Sequence, residues 1–200
     1  MTRIVNNCVA LVCLCLFWGQ SLRAADASHS EQIKWGNESV FNEEHNTLGL
    51  FSGVLGGQIV LAGGTSDDYS RWGRNAVCLS ENAGFALYED VLSKPLAYGA
   101  SITLSDGILC IGGRDSSQCY EDVFFVTMQQ GKLNVSEDWP PLPFPLSNAA
   151  GALLDNKVYL FGGRKSVSPS RLSDSFFVLD LSNKSRGWKE LPGYPGCVRE

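Results

Sequence analysis

The sequence predicts an all-β fold made of a repeated four-stranded unit, and three observations carry that reading. The stretches "FSGVLGGQIVLAGG", "YGASITLSDGILCIGG" and "LPFPLSNAAGALLDNKVYLFGG" close on glycine pairs ending at Gly64, Gly113 and Gly163, 49 and 50 residues apart. Each runs in the same order: a small-residue strand, a turn of Gly, Asp or Asn, an apolar strand, then Gly-Gly. Trp139 and Trp188, 49 residues apart, keep the same period farther along the unit.

The elements follow in chain order. Arg3 precedes the apolar run "CVALVCLCLFW" and "SLRAADA" follows it with small residues suited to cleavage, so residues 1–24 read as a secretory signal and 25–200 as the mature chain. The run is 11 residues long, and a span needs about 20, so no membrane attachment is expected once the signal is removed. Losing Arg3 and Arg23 with no acid takes the net charge from −5 to −7. An acidic chain without a basic stripe lacks the electrostatic footprint of a nucleic-acid binder.

The first repeat, about 48–97, pairs "FSGVL" with "QIVLA" and adds "NAVCLS" and "GFALYEDVLS" as outer strands. The second, 98–146, runs "YGASITL", "GILCI", "EDVFFVTM" and "KLNVS"; the third, 147–196, runs "AAGALL", "KVYLF", "DSFFVLDLS" and "GWKELPGYP". Four strands at a period near 50 form the pattern of a kelch-type β-propeller blade. The tryptophans and Phe124, Phe125, Phe176 and Phe177 are expected to pack between blades. The glycine pairs are followed by Thr-Ser, Arg-Asp and Arg-Lys with no helical pattern, so they are sharp bends in strands rather than a phosphate cradle.

Seven cysteines fall to four, Cys78, Cys110, Cys119 and Cys197, once the signal leaves. They lack CxxC spacing, and His29 and His45 are distant in sequence, so no zinc site is expected. Export permits a disulfide among the four without selecting the pair.

The blades "LPFPLSNAAGALLDNKVYLFGG", "YGASITLSDGILCIGG" and "SGVLGGQIVLAGG" resemble those of the secreted kelch-type N-acetylneuraminate epimerases, the sialic acid mutarotases, and especially their cyclically permuted branch. "YGAS" and "LPFPLSNAAGA" carry the resemblance beyond a general kelch match, and "TSDDYS" after Gly64 departs from it. It implies a bacterial periplasmic or secreted protein and a ring of about six blades, of which three repeats supply half. A half ring leaves blade faces open, so the expectation is a truncated frame or a piece of a longer protein, which by itself would unfold with poor cooperativity or self-associate.

Antiparallel pairing of the two innermost strands places the start of the first and the end of the second on one face of the disc. His45 and Asn46 with Thr65 and Asp67, Tyr98 with Arg114 and Asp115, and Ser147 and Asn148 with Arg164 therefore converge as a ligand cup. Each has a plainer reading: solvated arginines at turns, a tyrosine capping a joint, an asparagine satisfying backbone groups.

The resemblance implies interconversion of the α and β anomers of N-acetylneuraminate, a small-molecule sugar. Ring opening needs an acid and a base, for which Asp115, Tyr98 and His45 are the candidates, and no metal or other cofactor. Arg114 and Arg164 suit the carboxylate as planar, bidentate donors, with Asn148 and Ser147 as further substrate-binding groups. The alternative is a non-catalytic exported kelch propeller that binds glycan or protein. Copper chemistry of the galactose-oxidase kind needs a Tyr, His and Cys ligand set for which two histidines are too few.

Overall fold

The structure, a computed structural model, describes residues 48–80 and 84–193. The signal segment, Trp35, His45, Asn46 and Cys197 lie outside the described residues.

Three four-stranded antiparallel sheets follow one another along the chain. The first holds β1 (Phe51–Leu55), β2 (Gln58–Ala62), β3 (Ala76–Ser80) and β4 (Gly84–Tyr88), the second β5 (Ala100–Thr103), β6 (Ile108–Ile111), β7 (Val123–Gln129) and β8 (Lys132–Ser136). The third is built from β9 (Ala150–Leu154), β10 (Lys157–Phe161), β13 (Phe176–Asp180) and β14 (Lys189–Leu191), in the order β14-β13-β10-β9. Strand order follows chain order in every sheet, as expected of partial kelch-type propeller blades. Two elements were not legible in the sequence: a short hairpin of β11 (Arg164–Ser166) and β12 (Arg171–Leu172), and a 3-10 segment, Leu181–Arg186.

Turn chemistry fixes the register of the hairpins. Gly56-Gly57, Gln130-Gly131 and Asp155-Asn156 all have positive φ at both positions, the backbone that a two-residue turn needs to match strand twist. With register fixed, each strand shares its residues between two faces. In the second sheet Ile108, Cys110, Phe124 and Val126 enter a core shared with Phe51, Leu55, Val60, Ala62, Ala76 and Cys78 of the first. The alternate residues Ala100, Ile102, Leu109, Ile111, Val123 and Phe125 enter a core shared with Val158, Leu160, Phe177 and Leu179 of the third. Strands of the second sheet therefore read as unbroken apolar runs, because both of their faces are covered.

Phe124, Phe125 and Phe177 are buried between sheets as expected, and Trp139 and Trp188 lie against the second core. The Trp139 ring lies tilted against Phe125 with centres 5.2 Å apart, and the Trp188 indole donates to the Pro140 carbonyl at 3.0 Å. Phe176 departs from the expectation. It alternates with the buried Phe177 and so points to the opposite, open face of the third sheet.

Cys78, Cys110 and Cys119 are free and buried. Burial alone pushes the Cys78 and Cys110 thiols up, so they behave as small apolar core residues.

Candidate functional site

The start of each innermost strand and the end of its neighbour do meet on one rim, and backbone bonds hold them there. Paired bridges join Leu48 to Thr65, Ala97 to Arg114 and Ser147 to Arg164. Thr65, Arg114 and Arg164 thus occupy equivalent places just past the glycine pairs.

A second line of bonds runs across the blades. The Asn148 N–H donates to the Tyr98 carbonyl and the Tyr98 N–H to the Gly49 carbonyl, both at 2.7 Å. All three residues take positive φ, at 64° for Gly49, 61° for Tyr98 and 56° for Asn148. Glycine and asparagine adopt this region readily, whereas a bulky side chain there is an outlier of the kind found where local strain serves a site.

Arg114 is the centre of the rim. Its guanidinium carbon lies 4.8 Å from the Tyr98 ring centre, 5.0 Å from Trp72 and 5.9 Å from Tyr69. Nη1 donates to the Asp115 carbonyl at 3.3 Å, while the buried Nε has no partner. The rings also touch one another: Tyr98 and Tyr69 stack with centres 6.5 Å apart, and Trp72 meets Tyr98 edge-on at 6.4 Å. Three aromatic faces around one guanidinium attract it through their ring quadrupoles.

Tyr69 and Trp72 were missed in the sequence, and the loop that presents them was the clue. In "TSDDYSRW", Asp68 Oδ1 accepts from the hydroxyls of Ser66 and Ser70 and from the Ser70 N–H. The Ser66 hydroxyl, then the Ser70 groups, hold the Asp68 carboxyl down at about 2. The Trp72 indole donates to the Tyr69 carbonyl at 3.1 Å. A Ser/Asp-rich run that ties up its own backbone is a rigid turn, and here it carries two rings over the next blade's arginine.

The other predicted residues divide sharply. Tyr98 belongs to the box. Burial, then its hydrogen bond to Tyr69 at 3.4 Å, pushes its phenol up to about 12 against the lowering effect of Arg114. It is a protonated donor throughout the neutral range.

Asp115 is tied into its own loop. Oδ1 accepts from the Ser117 N–H and hydroxyl and the Gln118 N–H, and Oδ2 from the Tyr120 hydroxyl at 2.5 Å. Burial would raise its carboxyl, but the bonds from Tyr120, Gln118 and Ser117 outweigh it and hold the group at about 2. It is an ionised, fully engaged acceptor.

Ser147 is 1% exposed. Its hydroxyl lies 3.1 Å from Asn148 Oδ1 and 3.4 Å from Cys119 Sγ, so it positions Asn148, whose own side chain is exposed. Arg164 is half-buried at the start of β11. His45 lies outside the described residues. Among the described residues no three His, Cys, Asp or Glu side chains gather as a metal site. The rim thus brings together the Arg114 box, the half-buried Arg164 and the exposed Asn148.

Comparison with known proteins finds kelch similarity in the third blade. Residues 145–192 match the Kelch motif. An 80-residue stretch is 31% identical to the N-acetylneuraminate epimerase of Vibrio cholerae, covering 40% of this chain and 19% of that protein. The N-acetylneuraminate epimerases of Brucella suis and Yersinia pestis are 33% and 31% identical over 66 and 65 residues. The matched stretches span only 15% of the length of each.

Proposed function

We infer that this is an exported sugar mutarotase that interconverts the anomers of N-acetylneuraminate. The observation that carries the reading is the Arg114 guanidinium, held in its box of Tyr69, Trp72 and Tyr98 on the rim. The local similarity to proteins named N-acetylneuraminate epimerase supports it.

Arg114 would take the sugar carboxylate through charge-assisted hydrogen bonds from its guanidinium. Tyr98, neutral up to about 12, would deliver the proton to the ring oxygen as the C–O bond opens. The proton of the anomeric hydroxyl would pass to His45, since an imidazole accepts protons near neutral pH and the Asp115 carboxylate is saturated by its own loop. Asn148 and Arg164 would contact sugar hydroxyls from the next blade.

The test is NMR observation of a single anomer relaxing to equilibrium with and without the protein. The full chain is expected to accelerate relaxation, and Arg114→Ala to slow it by about tenfold to a hundredfold, the loss of a charge-assisted bond of about 1.5–3 kcal/mol. Binding of the sugar without acceleration would instead put the non-catalytic propeller in front.

A further inference from the structure

The two joints between blades are built alike at the rim, where Gly64 and Gly113 donate to the Leu96 and Leu146 carbonyls, and differently at the turn end. In the first joint Tyr88 of β4 packs on the core shared by the first two sheets, with Met128 and Leu133. Its hydroxyl donates to the Gly131 carbonyl in the β7–β8 turn at 3.1 Å, so a side chain of one blade is tied to the turn of the next. Register gives the matching position in the second joint. Ala76 and Val123 hold equivalent places, opposite Ala62 and Ile111, and Tyr88 lies opposite Ala76. The pairing of Phe125 with Ser136, carried two residues on, puts Asp138 opposite Val123. A short carboxylate therefore stands where the first joint has its seal.

The facing turn differs as well. β7 and β8 are joined through Gln130 and Gly131 alone, whereas the 3-10 segment Leu181–Arg186 separates β13 from β14 and carries Lys184 over Trp139. Between the second and third blades a cleft of about 630 Å³ remains, within the range of about 300–1,000 Å³ usual for small-molecule sites. Every residue that lines it belongs to these two described blades.

Part of the lining is apolar, from Leu104, Phe125, Leu153 and the Trp139 ring, and the rest is polar, led by Asp106, Asp138, Asn156 and Lys184. Among the described residues Asp106 and Asp138 accept only from the neighbouring Ser105 and Ser136 hydroxyls, at 3.5 and 3.3 Å, and neither is paired with a cation. The Asn156 amide donates to the Ser182 hydroxyl at 2.8 Å, which leaves its carbonyl oxygen as an acceptor. Lys184 holds its ammonium 4.0 Å from the Trp139 ring centre. Three ligand classes fit this lining badly. An anion would face two carboxylates, an ammonium would find Lys184 already on the aromatic ring, and a wholly apolar molecule would bury the polar groups without partners. A neutral ring with an apolar C–H face and a hydroxyl edge satisfies both parts. Its hydroxyls can donate to Asp106, Asp138 and the Asn156 carbonyl and accept from Lys184.

We propose that the cleft between the second and third blades is a further ligand site, one that binds a neutral saccharide. It lies at the turn end, where Asp106 and Asn156 sit in the β5–β6 and β9–β10 turns, and the Arg114 box lies at the other end of the same strands. N-acetylneuraminate is itself a carboxylate, so Asp106 and Asp138 exclude it from the cleft. Holding a sugar needs less exact placement than moving its protons, and the turn end of a joint suffices for it. The inference rests on the cleft and stands whether or not the rim is catalytic.

Calorimetric titration of the full chain with lactose, maltose, cellobiose and N,N′-diacetylchitobiose, each at millimolar concentration, is expected to show binding of at least one. Asp106→Ala, in an exposed turn, should weaken that binding by about tenfold or more, the effect of losing hydrogen bonds to a charged group. Asp138→Tyr should abolish it by restoring the side chain that seals the first joint. N-acetylneuraminate should not displace the disaccharide, and Arg114→Ala should leave the disaccharide affinity unchanged, so a failure at the rim and a failure at the cleft are told apart. Thermal unfolding reports whether each variant folds, and Asp106→Ala decides alone if Asp138→Tyr does not. No binding of any of the four disaccharides, displacement by N-acetylneuraminate, or an affinity unmoved by Asp106→Ala would overturn the proposal.

Discussion

Glycine is used at both ends of the sheets, and for different reasons. At the rim, a Cβ on Gly63 would sit 2.3 Å from the Leu96 carbonyl oxygen and one on Gly112 2.2 Å from that of Leu146. Those carbonyls belong to the chain entering the next blade, and they accept the N–H groups of Gly64 and Gly113 at 2.8 Å. At the far end, Gly56 has nothing within 4 Å and serves only the left-handed turn, with φ at 56°. The rim is where blades are joined through their backbones, and the far end is where single hairpins turn in solvent. A site that needs fixed geometry therefore falls on the rim.

The largest effect expected from this contrast is on stability. Gly112→Ala combines a forced positive φ with a backbone clash and should cost about 2–4 kcal/mol, whereas Gly56→Ala carries the conformational term alone, about 1 kcal/mol. Urea midpoints of the two variants measure the difference. Equal losses would mean that the joint between blades can yield by moving the carbonyl away.

Activity sharpens the same contrast through tryptophan. Trp72 on the rim holds the Arg114 guanidinium, while Trp188 closes the outer part of the third sheet against Pro140. Losing a cation–π contact of about 0.5–2 kcal/mol should weaken sugar binding by roughly twofold to thirtyfold in Trp72→Ala, with folding largely intact. Trp188→Ala should lower the melting temperature and leave the affinity of the folded fraction unchanged. Calorimetric titration with N-acetylneuraminate, set beside thermal unfolding of each variant, separates the two.

Much of this was legible in the sequence because it is set locally. The spacing of Gly64, Gly113 and Gly163 located the strands, and "NAVCLS" and "GFALYEDVLS" became β3 and β4 despite the missing tryptophan. The rim's grouping of Tyr98 with Arg114 followed from hairpin geometry alone. What the sequence hid depends on neighbours. Arg114 and Arg164 look alike in "GGRD" and "GGRK", but the residue at the left-handed position is Tyr98 beside one and Asn148 beside the other. The two further rings come from a loop of the preceding blade, where they look like ordinary turn residues. Asp115 looked like a catalytic acid because a sequence shows a carboxyl but not the four bonds already made to it.

The smallest effect tests that last point. Asp115 is held at about 2 in the folded chain and returns to the ordinary carboxylate range, near 3.9, on unfolding. A carboxyl depressed by folding contributes stability that is present above its unfolded pKa and lost as pH falls through the folded one. The contribution of Asp115 should therefore be intact at pH 5 and fade between about pH 4 and pH 2. Asp115→Asn keeps one acceptor oxygen for the Ser117 and Gln118 N–H groups but removes the charge. The difference in urea midpoint between wild type and Asp115→Asn should be largest at pH 5 and shrink towards zero at pH 2, with Asp68, likewise held low, common to both proteins and cancelling. Mutarotation at neutral pH should survive the substitution if Asp115 only ties down its loop. An activity loss as large as that of Arg114→Ala, with the loop still folded, would return Asp115 to the catalytic set.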